Sequence, residues 1–322
     1  MKKQFVSIGV TILDIVGHPI RQIPEGDSTE LVESIQICPA GTAAAPAVVA
    51  ARQGLETTLI GAVGNDDLGR FLRTKLQDEN VKTDCLQVRD DMPTAATILP
   101  INNEGDRPNW HMPGAFLMLE LDDNRRQRLV NADHIHWGGV GLLFNLDGDV
   151  GAELLAEAKN NGATISADLI APGPHTLDSI AAIAKYLDYF MPSIDEALEI
   201  AATDNVADAA QFFIDLGVKN CVIKCGADGA YLAHASGIRE QIPVISEVKV
   251  VDTSGCGDSF CGGFNVALAH GFEPLDACRF ASATAAQVAS GMGSGAGVVD
   301  FETTLKIMQA GSMTILHQEQ PA

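Results

Sequence analysis

The sequence predicts an α/β protein: a mostly parallel sheet flanked by helices on both faces, with a small β-sheet lid. Three observations predict it. Short strand-like runs alternate with stretches of helical period along most of the chain. The first run, residues 6–10, is apolar apart from Ser7, as in a strand buried on both sides. Two regions, 19–38 and 94–113, lack helical period and interrupt the alternation with extended chain. These assign 1–18, 39–93 and 114–322 to one α/β domain and the two interruptions to a lid over the carboxyl edge of its sheet.

In chain order, strand 6–10 runs up to Asp14, a charge ending a buried strand and so in need of a partner. A helix over 43–52 takes Pro46 in its first turn and stops at Gly54. Strand 57–63 leads to Asp66, an N-cap before Leu68, Phe71, Leu72 and Leu76 at helical spacing. In the lid, strand 94–101 is followed by a turn signal at 102–106. Strand 135–137, helix 150–160, strand 163–167, helix 177–186 and strand 221–224 continue the pattern. A strand at 247–250 feeds a helix over 258–270, closed by Gly271. The tail from 312 is expected to fray.

Composition narrows the function. Of 322 residues, 21 are Lys or Arg and 42 are Asp or Glu, a net charge of −21. Such a surface repels phosphate backbones, and no basic stripe compensates: Arg125, Arg126 and Arg128 follow Asp122 and Asp123. Nucleic-acid partners are therefore not expected. No apolar run approaches the roughly 18 residues of a membrane span, and the basic start reads as a first buried strand rather than a leader. Seven scattered cysteines without a Cys-x-x-Cys pair indicate neither zinc nor a disulfide framework, and point to a reducing cytoplasm. His134 and His136 could share a strand face as metal ligands, but no third ligand is evident.

The strongest chemical signal is the run 250–260, Val-Val-Asp-Thr-Ser-Gly-Cys-Gly-Asp-Ser-Phe. Small residues at Gly255, Cys256 and Gly257 let backbone N–H groups turn inward at a helix start, where the dipole favours an anion. Asp258 places a carboxylate beside that anion hole. This suits a base that takes a hydroxyl proton while N–H groups hold a transferring phosphoryl group. A lone Gly-x-Gly-Asp more often marks a capped helix, so the weight falls on the whole run. The glycines at 291–297 follow a helix rather than a strand, which excludes a dinucleotide fingerprint; no P-loop or nucleophile elbow is present.

The same run resembles the C-terminal motif of the ribokinase-like (PfkB) family of carbohydrate and nucleoside kinases, matching at Asp252, Thr253, Gly255, Gly257, Asp258, Ser259 and Phe260, with Cys256 in place of Ala. The resemblance covers nearly the whole chain and implies a ribokinase-like fold. It implies that Asp258 is the catalytic base, that 255–257 form the anion hole, and that Asp252 lies near substrate and a monovalent-cation site. It makes Asp14 the sugar-binding Asp. Residues 222–230, with Lys224, Gly226 and Gly229, are similar to the strand and turn lining the nucleotide, and Ser282 stands where Asn is common beside the adenine. Arg107 lies in the lid, where the family often contacts substrate. The run 61–69 is similar to the N-terminal motif, with Asp66 structural.

The chain also departs from the family. Its Gly-Gly-Asn stretch is Ala40-Gly41-Thr42, and the following Asn is Ala45. Its Pro-Asn-x-x-Glu is Pro192-Ser193-Ile194-Asp195-Glu196, keeping the Glu associated with Mg2+. Its Asp-x-Asn-x-Arg retains only Asp168. Each loss removes a polar contact to substrate or phosphate. The expectation is an ATP- and Mg2+-dependent kinase of a small sugar, with K+ as a further cofactor, oriented by Asp14, Gly41 and Thr42 and dimeric through the lid. The alternatives are a nucleoside kinase of the same family and a ligand-binding regulator without turnover.

Overall fold

The computed structural model describes residues 3–102 and 107–314. Most of the expected turn at 102–106, and the tail from 315, lie outside them. Strands and helices are numbered in chain order. The main sheet runs, in spatial order, β4 (Glu56–Ile60), β1 (Gln4–Gly9), β9 (His134–Gly138), β10 (Thr164–Asp168), β11 (Tyr189–Phe190), β12 (Asn220–Lys224), β13 (Ala230–His234) and β14 (Arg239–Ile242). The first six are parallel, and β13 and β14 close one edge antiparallel.

Helices cover both faces, because parallel strands need crossovers that return over the sheet. On one face lie α3 (Asp123–Val130), α4 (Asp149–Asn160), α5 (Thr176–Ile183), α6 (Ile194–Ala201) and α7 (Val206–Asp215), which bury Leu129, Leu155, Ile180, Ala197 and Phe213 against it. On the other lie α1 (Ala44–Arg52), α2 (Asp67–Asp78), α8 (Cys256–Ala269), α9 (Pro274–Ala289) and α10 (Phe301–Ala310). The i, i+4 pair Phe260 and Phe264 of α8 is in this second core, each ring contributing on the order of 2 kcal/mol by its burial.

A second, smaller sheet has the order β3 (Ser34–Ala40), β2 (Ile12–His18), β7 (Ala96–Pro100) and β8 (Trp110–Met112). It is mixed: β2 pairs antiparallel with β3 and parallel with β7, and β7 pairs antiparallel with β8. Its middle strand, β2, precedes residue 19, the point at which the sequence suggested that the lid begins. The chain leaves the main sheet already at Val10 and Thr11, and the apolar run continues through the change of sheet without a compositional break.

Two expected strands are drawn differently. The run 57–63 is divided at Gly61, where a Cβ would meet Thr11 Oγ1; β4 belongs to the main sheet, and β5 (Ala62–Gly64) pairs with β6 (Gln87–Arg89). Residues 247–250 form no strand. Pro243 has no N–H to donate and Glu247 has φ +58°, so the alternating run ends in a single bridge between Ser246 and Ser312. Asp66 caps α2 as expected, accepting from Gly69 N at 2.8 Å. The described helices include none long and apolar enough to cross a membrane.

Candidate functional site

The carboxyl ends of β1, β9, β10 and β12 meet at one edge of the main sheet, under the small sheet and beside the start of α8. Open parallel sheets place ligands at such an edge. Asp168 and Lys224 are the last residues of β10 and β12, so each strand delivers a charge to this edge.

The start of α8 has no side-chain cap. Gly255 is the N-cap at φ +72°, a left-handed conformation, and a Cβ there would stand 2.5 Å from Ser294 Oγ. Cys256, Gly257 and Asp258 form the first turn, so Asp258 is inside the helix and is not its cap. Among the described residues, the N–H groups of Gly255, Gly257 and Asp258 have no partner, while that of Cys256 donates to Thr253 O at 3.3 Å. The hydroxyls of Ser254 and Ser259 are buried without partners. Unsatisfied donors at a helix start, with Gly257 giving a backbone free of side chain, fit a phosphate-bearing ligand.

Asp252 holds this turn in place. One of its oxygens accepts from Ser254 N and the other from Gly293 N, both at 2.8 Å. Cys256 donates its thiol to Ala285 O, and burial, reinforced by Asp252, pushes that thiol up to about 12. Cys256 is thus a small neutral residue here. Arg107 reaches across from the small sheet and donates from Nε to Thr253 Oγ1 at 3.1 Å.

Beside Asp258 lies a buried charge cluster. Lys224 Nζ is 2.5 Å from Asp168 Oδ2, with the two side chains only 12% and 1% exposed. The thiol of Cys261 also donates to Asp168, at 3.4 Å. A Cβ on Gly257 would lie 3.5 Å from Lys224 Nζ, which puts the ammonium beside the 255–257 turn. Burial opposes the ammonium, but Asp168 and Glu196 outweigh it and hold Lys224 protonated. Burial raises Asp258 above the usual carboxylate range, Lys224 and Arg107 opposing it and Glu196 adding to it. Among the described residues, the Asp258 side chain takes no hydrogen bond.

Glu196 sits in a capping box at α6. Its Oε2 accepts from Ser193 N at 2.8 Å and Ser193 Oγ at 2.6 Å, and burial, with Asp168, raises it. Oε1 is left for other partners. No group of three or more metal-ligating side chains occurs among the described residues. The donor set therefore fits a metal carried on phosphate oxygens, with Glu196 as a helper. His136 is not a ligand; it accepts from or donates to Ser166 Oγ at 3.0 Å and donates from Nε2 to Thr42 O.

From the small sheet, Asp14 on β2 faces the same space. Burial raises it to about 7; Asp258 and Asp252 add to the rise, while the hydroxyl of its cross-strand neighbour Thr97 and the charge of Arg107 oppose it. Gly41 and Thr42 link β3 to α1. Gly41 has φ +93°, and Thr42 Oγ1 is buried without a partner. Gly226 and Gly229 form the turn after β12, and Ser282 is buried on α9. The structure thus brings Asp14, Arg107, Asp252, Lys224, Glu196 and Asp258 into one electrostatic neighbourhood. It shows no contact that joins Gly226, Gly229 or Ser282 to them.

Sequence reasoning missed two participants. Cys261 reads locally as a helix-core residue, and Thr97 as an ordinary strand residue. Their signals appear only when α8 brings Cys261 to Asp168, 93 positions away, and the small sheet brings Thr97 beside Asp14.

A parallel sheet with a charge-lined carboxyl edge, a helix start with unsatisfied N–H groups and a second sheet above it define an α/β protein with a cleft suited to a phosphate-bearing ligand. The pfkB family carbohydrate kinase model matches residues 2–300, and the chain belongs to that family. It is 30% identical over 237 residues to an aminoimidazole riboside kinase of Salmonella typhimurium, covering 70% of this chain and 72% of that one. It is 25% identical over 284 residues to a ribokinase of Haemophilus influenzae, covering 86% and 89%. Among solved structures, the ribokinase of Arabidopsis thaliana complexed with ribose and ATP superposes with a TM-score of 0.80 at 22% identity, over 96% and 99% of the two chains. The protein is a carbohydrate kinase with a ribokinase fold.

Proposed function

We propose that the protein transfers a phosphoryl group from ATP to a hydroxyl of a small sugar, with Asp258 as general base and the free N–H groups of the 255–257 turn, together with that of Asp258, as the anion hole. The observation that carries this reading is the position of Asp258: on the first turn of α8, without a hydrogen-bond partner, among unsatisfied N–H groups and near Lys224. Burial raises its carboxyl above the usual carboxylate range, which makes it a stronger proton acceptor than an exposed Asp. The acceptor hydroxyl gives its proton to Asp258 as its oxygen attacks. The helix start and Lys224 stabilise the charge that develops on the transferring group. Arg107 ties the small sheet to the anion turn and helps exclude water.

Glu196 Oε1 would be the protein's contribution to holding a nucleotide-borne Mg2+, which would supply charge neutralisation at the phosphates. Gly226, Gly229 and Ser282 belong to the nucleotide side of the cleft in this reading, and Asp14, Gly41 and Thr42 to the sugar side. Both oxygens of Asp252 already accept N–H groups, so a monovalent cation such as K+ would draw on their remaining lone pairs. A nucleoside acceptor is the second reading. Ala45 stands where the family's second Asn is expected, which removes a polar contact to a sugar, and the riboside kinase relative supports it. Seven unpaired thiols support a reducing, cytoplasmic setting.

The outer face of the small sheet supports a homodimer. Ile35, Ile37, Ile98 and Trp110 lie on it, 67%, 40%, 49% and 53% exposed. A second copy presenting the same face would cover both. Light scattering at micromolar concentration should give twice the chain mass, and Trp110→Asp with Ile37→Asp should give the monomer.

The test of the chemistry is Asp258→Asn with a panel of pentoses, hexoses, ketoacid sugars and nucleosides. The expected outcome is a kcat about 10²–10⁴-fold lower with fold and nucleotide binding retained. Wild-type turnover by the variant would eliminate Asp258 as base. ATP binding without turnover by the wild-type protein across the panel would favour a regulator.

A further inference from the structure

The 252–258 turn leans on a loop rich in glycine. Residues 291–297 read Gly-Met-Gly-Ser-Gly-Ala-Gly, and Gly293, Gly295 and Gly297 all have positive φ. Such a chain has many conformations open to it and keeps one only when neighbours fix it. Two of its contacts reach the turn. Gly293 N donates to Asp252, whose other oxygen accepts from Ser254 N. Ser294 backs Gly255 so closely that a Cβ on Gly255 would stand 2.8 Å from both Cα and Cβ of Ser294. Movement of Ser294 therefore leaves the N-cap of α8 unsupported.

The two halves of the loop are fixed differently. At its start, Met292 packs against Val16 and Leu99 of the small sheet, and Ser34 donates its hydroxyl to Met292 Sδ at 3.6 Å. Past Ser294 the fixed point is Arg52, the last residue of α1. Its Nη1 donates to Gly295 O, 243 positions away. The rest of the guanidinium is held by Glu79, the C-cap of α2: Nε donates to Oε2 at 2.7 Å and Nη2 to Oε1 at 2.6 Å. The two side chains are 30% and 22% exposed, so solvent screens this pair less than an open surface pair. A planar guanidinium can give two parallel bonds to one carboxylate and a third to a carbonyl; an ammonium has no such fork.

We propose that Arg52 and Glu79 are positioning residues for phosphoryl transfer: the guanidinium, locked by Glu79, props Gly295 so that Ser294 and Gly293 hold the 252–258 turn with its N–H groups free for the ligand. Arg52 acts through the loop, since among the described residues it makes no hydrogen bond to Asp258, Lys224 or Asp14. The proposal rests on the reading of the turn as the anion hole. It extends the machinery to the end of α1 and the cap of α2.

The test uses the full chain with Arg52→Met, Arg52→Lys and Glu79→Gln. Deuterium exchange without ligand, read by mass spectrometry, should rise roughly tenfold for 291–297 and 252–257 in Arg52→Met, and stay within about twofold in α4 and β10. With the acceptor found in the panel, kcat should fall about tenfold, less than the roughly 10²–10³-fold that loss of a whole oxyanion donor costs. KM for the acceptor should stay within about threefold, because Asp14 and the Met292 contact with the small sheet are untouched. Arg52→Lys should resemble Arg52→Met, since it keeps the charge and loses the fork. Glu79→Gln should show the same pattern at smaller size. Methylguanidinium should restore part of kcat to Arg52→Ala, and methylammonium should not.

A brace for stability alone would lower the urea midpoint and leave kcat and the exchange of 252–257 as in the wild type. That result in Arg52→Met, or in Glu79→Gln if Arg52→Met does not fold, would overturn the proposal. The exchange readout needs no turnover. It decides the brace even if Asp258→Asn is fully active and the kinase mechanism falls.

Discussion

The two walls of the cleft handle buried carboxylates in different ways. On the body side, Asp168, Glu196 and Asp258 surround Lys224, a counter-charge that the fold supplies and holds. On the lid side, Asp14 has only the Thr97 hydroxyl and the more distant Arg107 against burial and two further carboxylates. One wall carries its own cation before any ligand arrives, although burial still raises all three carboxylates. The other has a charge state that hydrogen bonds and bound substrate still decide. A preorganised wall suits the transferring phosphoryl group, whose charge is the same in every turnover. An adjustable wall suits recognition, in which the substrate's own donors complete the site.

The largest expected effect breaks the body side. Lys224→Met leaves three carboxylates without their cation, and unfolding in urea should show a loss of about 3–5 kcal/mol. Adding Asp168→Asn removes the main stranded charge and should recover part of that loss, a coupling that a double-mutant cycle measures. Equal stability of Lys224→Met and wild type would mean that the body wall is not compensated by Lys224.

A smaller effect sharpens the lid side. The folded value of about 7 for Asp14 lies above its unfolded 3.8, so the folded protein retains a proton that the unfolded chain has released. The stability associated with this group is therefore greatest below about pH 4, falls as pH rises toward 7, and stays low above it. Asp14→Asn removes that dependence. The variant should match the wild type near pH 4 and exceed it by on the order of 2 kcal/mol at pH 8, read from urea midpoints. The comparison must be between the two proteins, because His134 and His136, lowered by burial to about 4 and about 3, drive wild-type stability in the opposite direction below pH 6.5. A constant gap between the proteins across this range would place Asp14 in an ordinary solvated setting. The same substitution should raise KM for the acceptor more than it lowers kcat.

Much of the candidate site's geometry was readable residue by residue. The glycines at 255 and 257 announced a helix start with free N–H groups, and Asp258 was legible because it is three positions from that start. Asp66 was legible as a cap for the same reason: the hydrogen bond spans three residues. The strand at 247–250 was misread because alternation is a local signal, and it cannot register that β14 already occupies the sheet edge or that Glu247 turns left-handed. The boundary at residue 18 was misplaced because β1 and β2 share one composition while belonging to different sheets.

The sequence by itself determined the alternation of strands and helices, the start of α8 and the chemistry available there, since these depend on interactions within a few residues. Only the tertiary structure decided which charges meet. Lys224 finds Asp168 across 56 residues, and Arg107 finds Thr253 across 146. Asp14, Thr97 and His111 align only once three strands have taken their register. Such pairings follow from strand order and register, which the whole hydrophobic core selects together, and no short stretch of sequence encodes them.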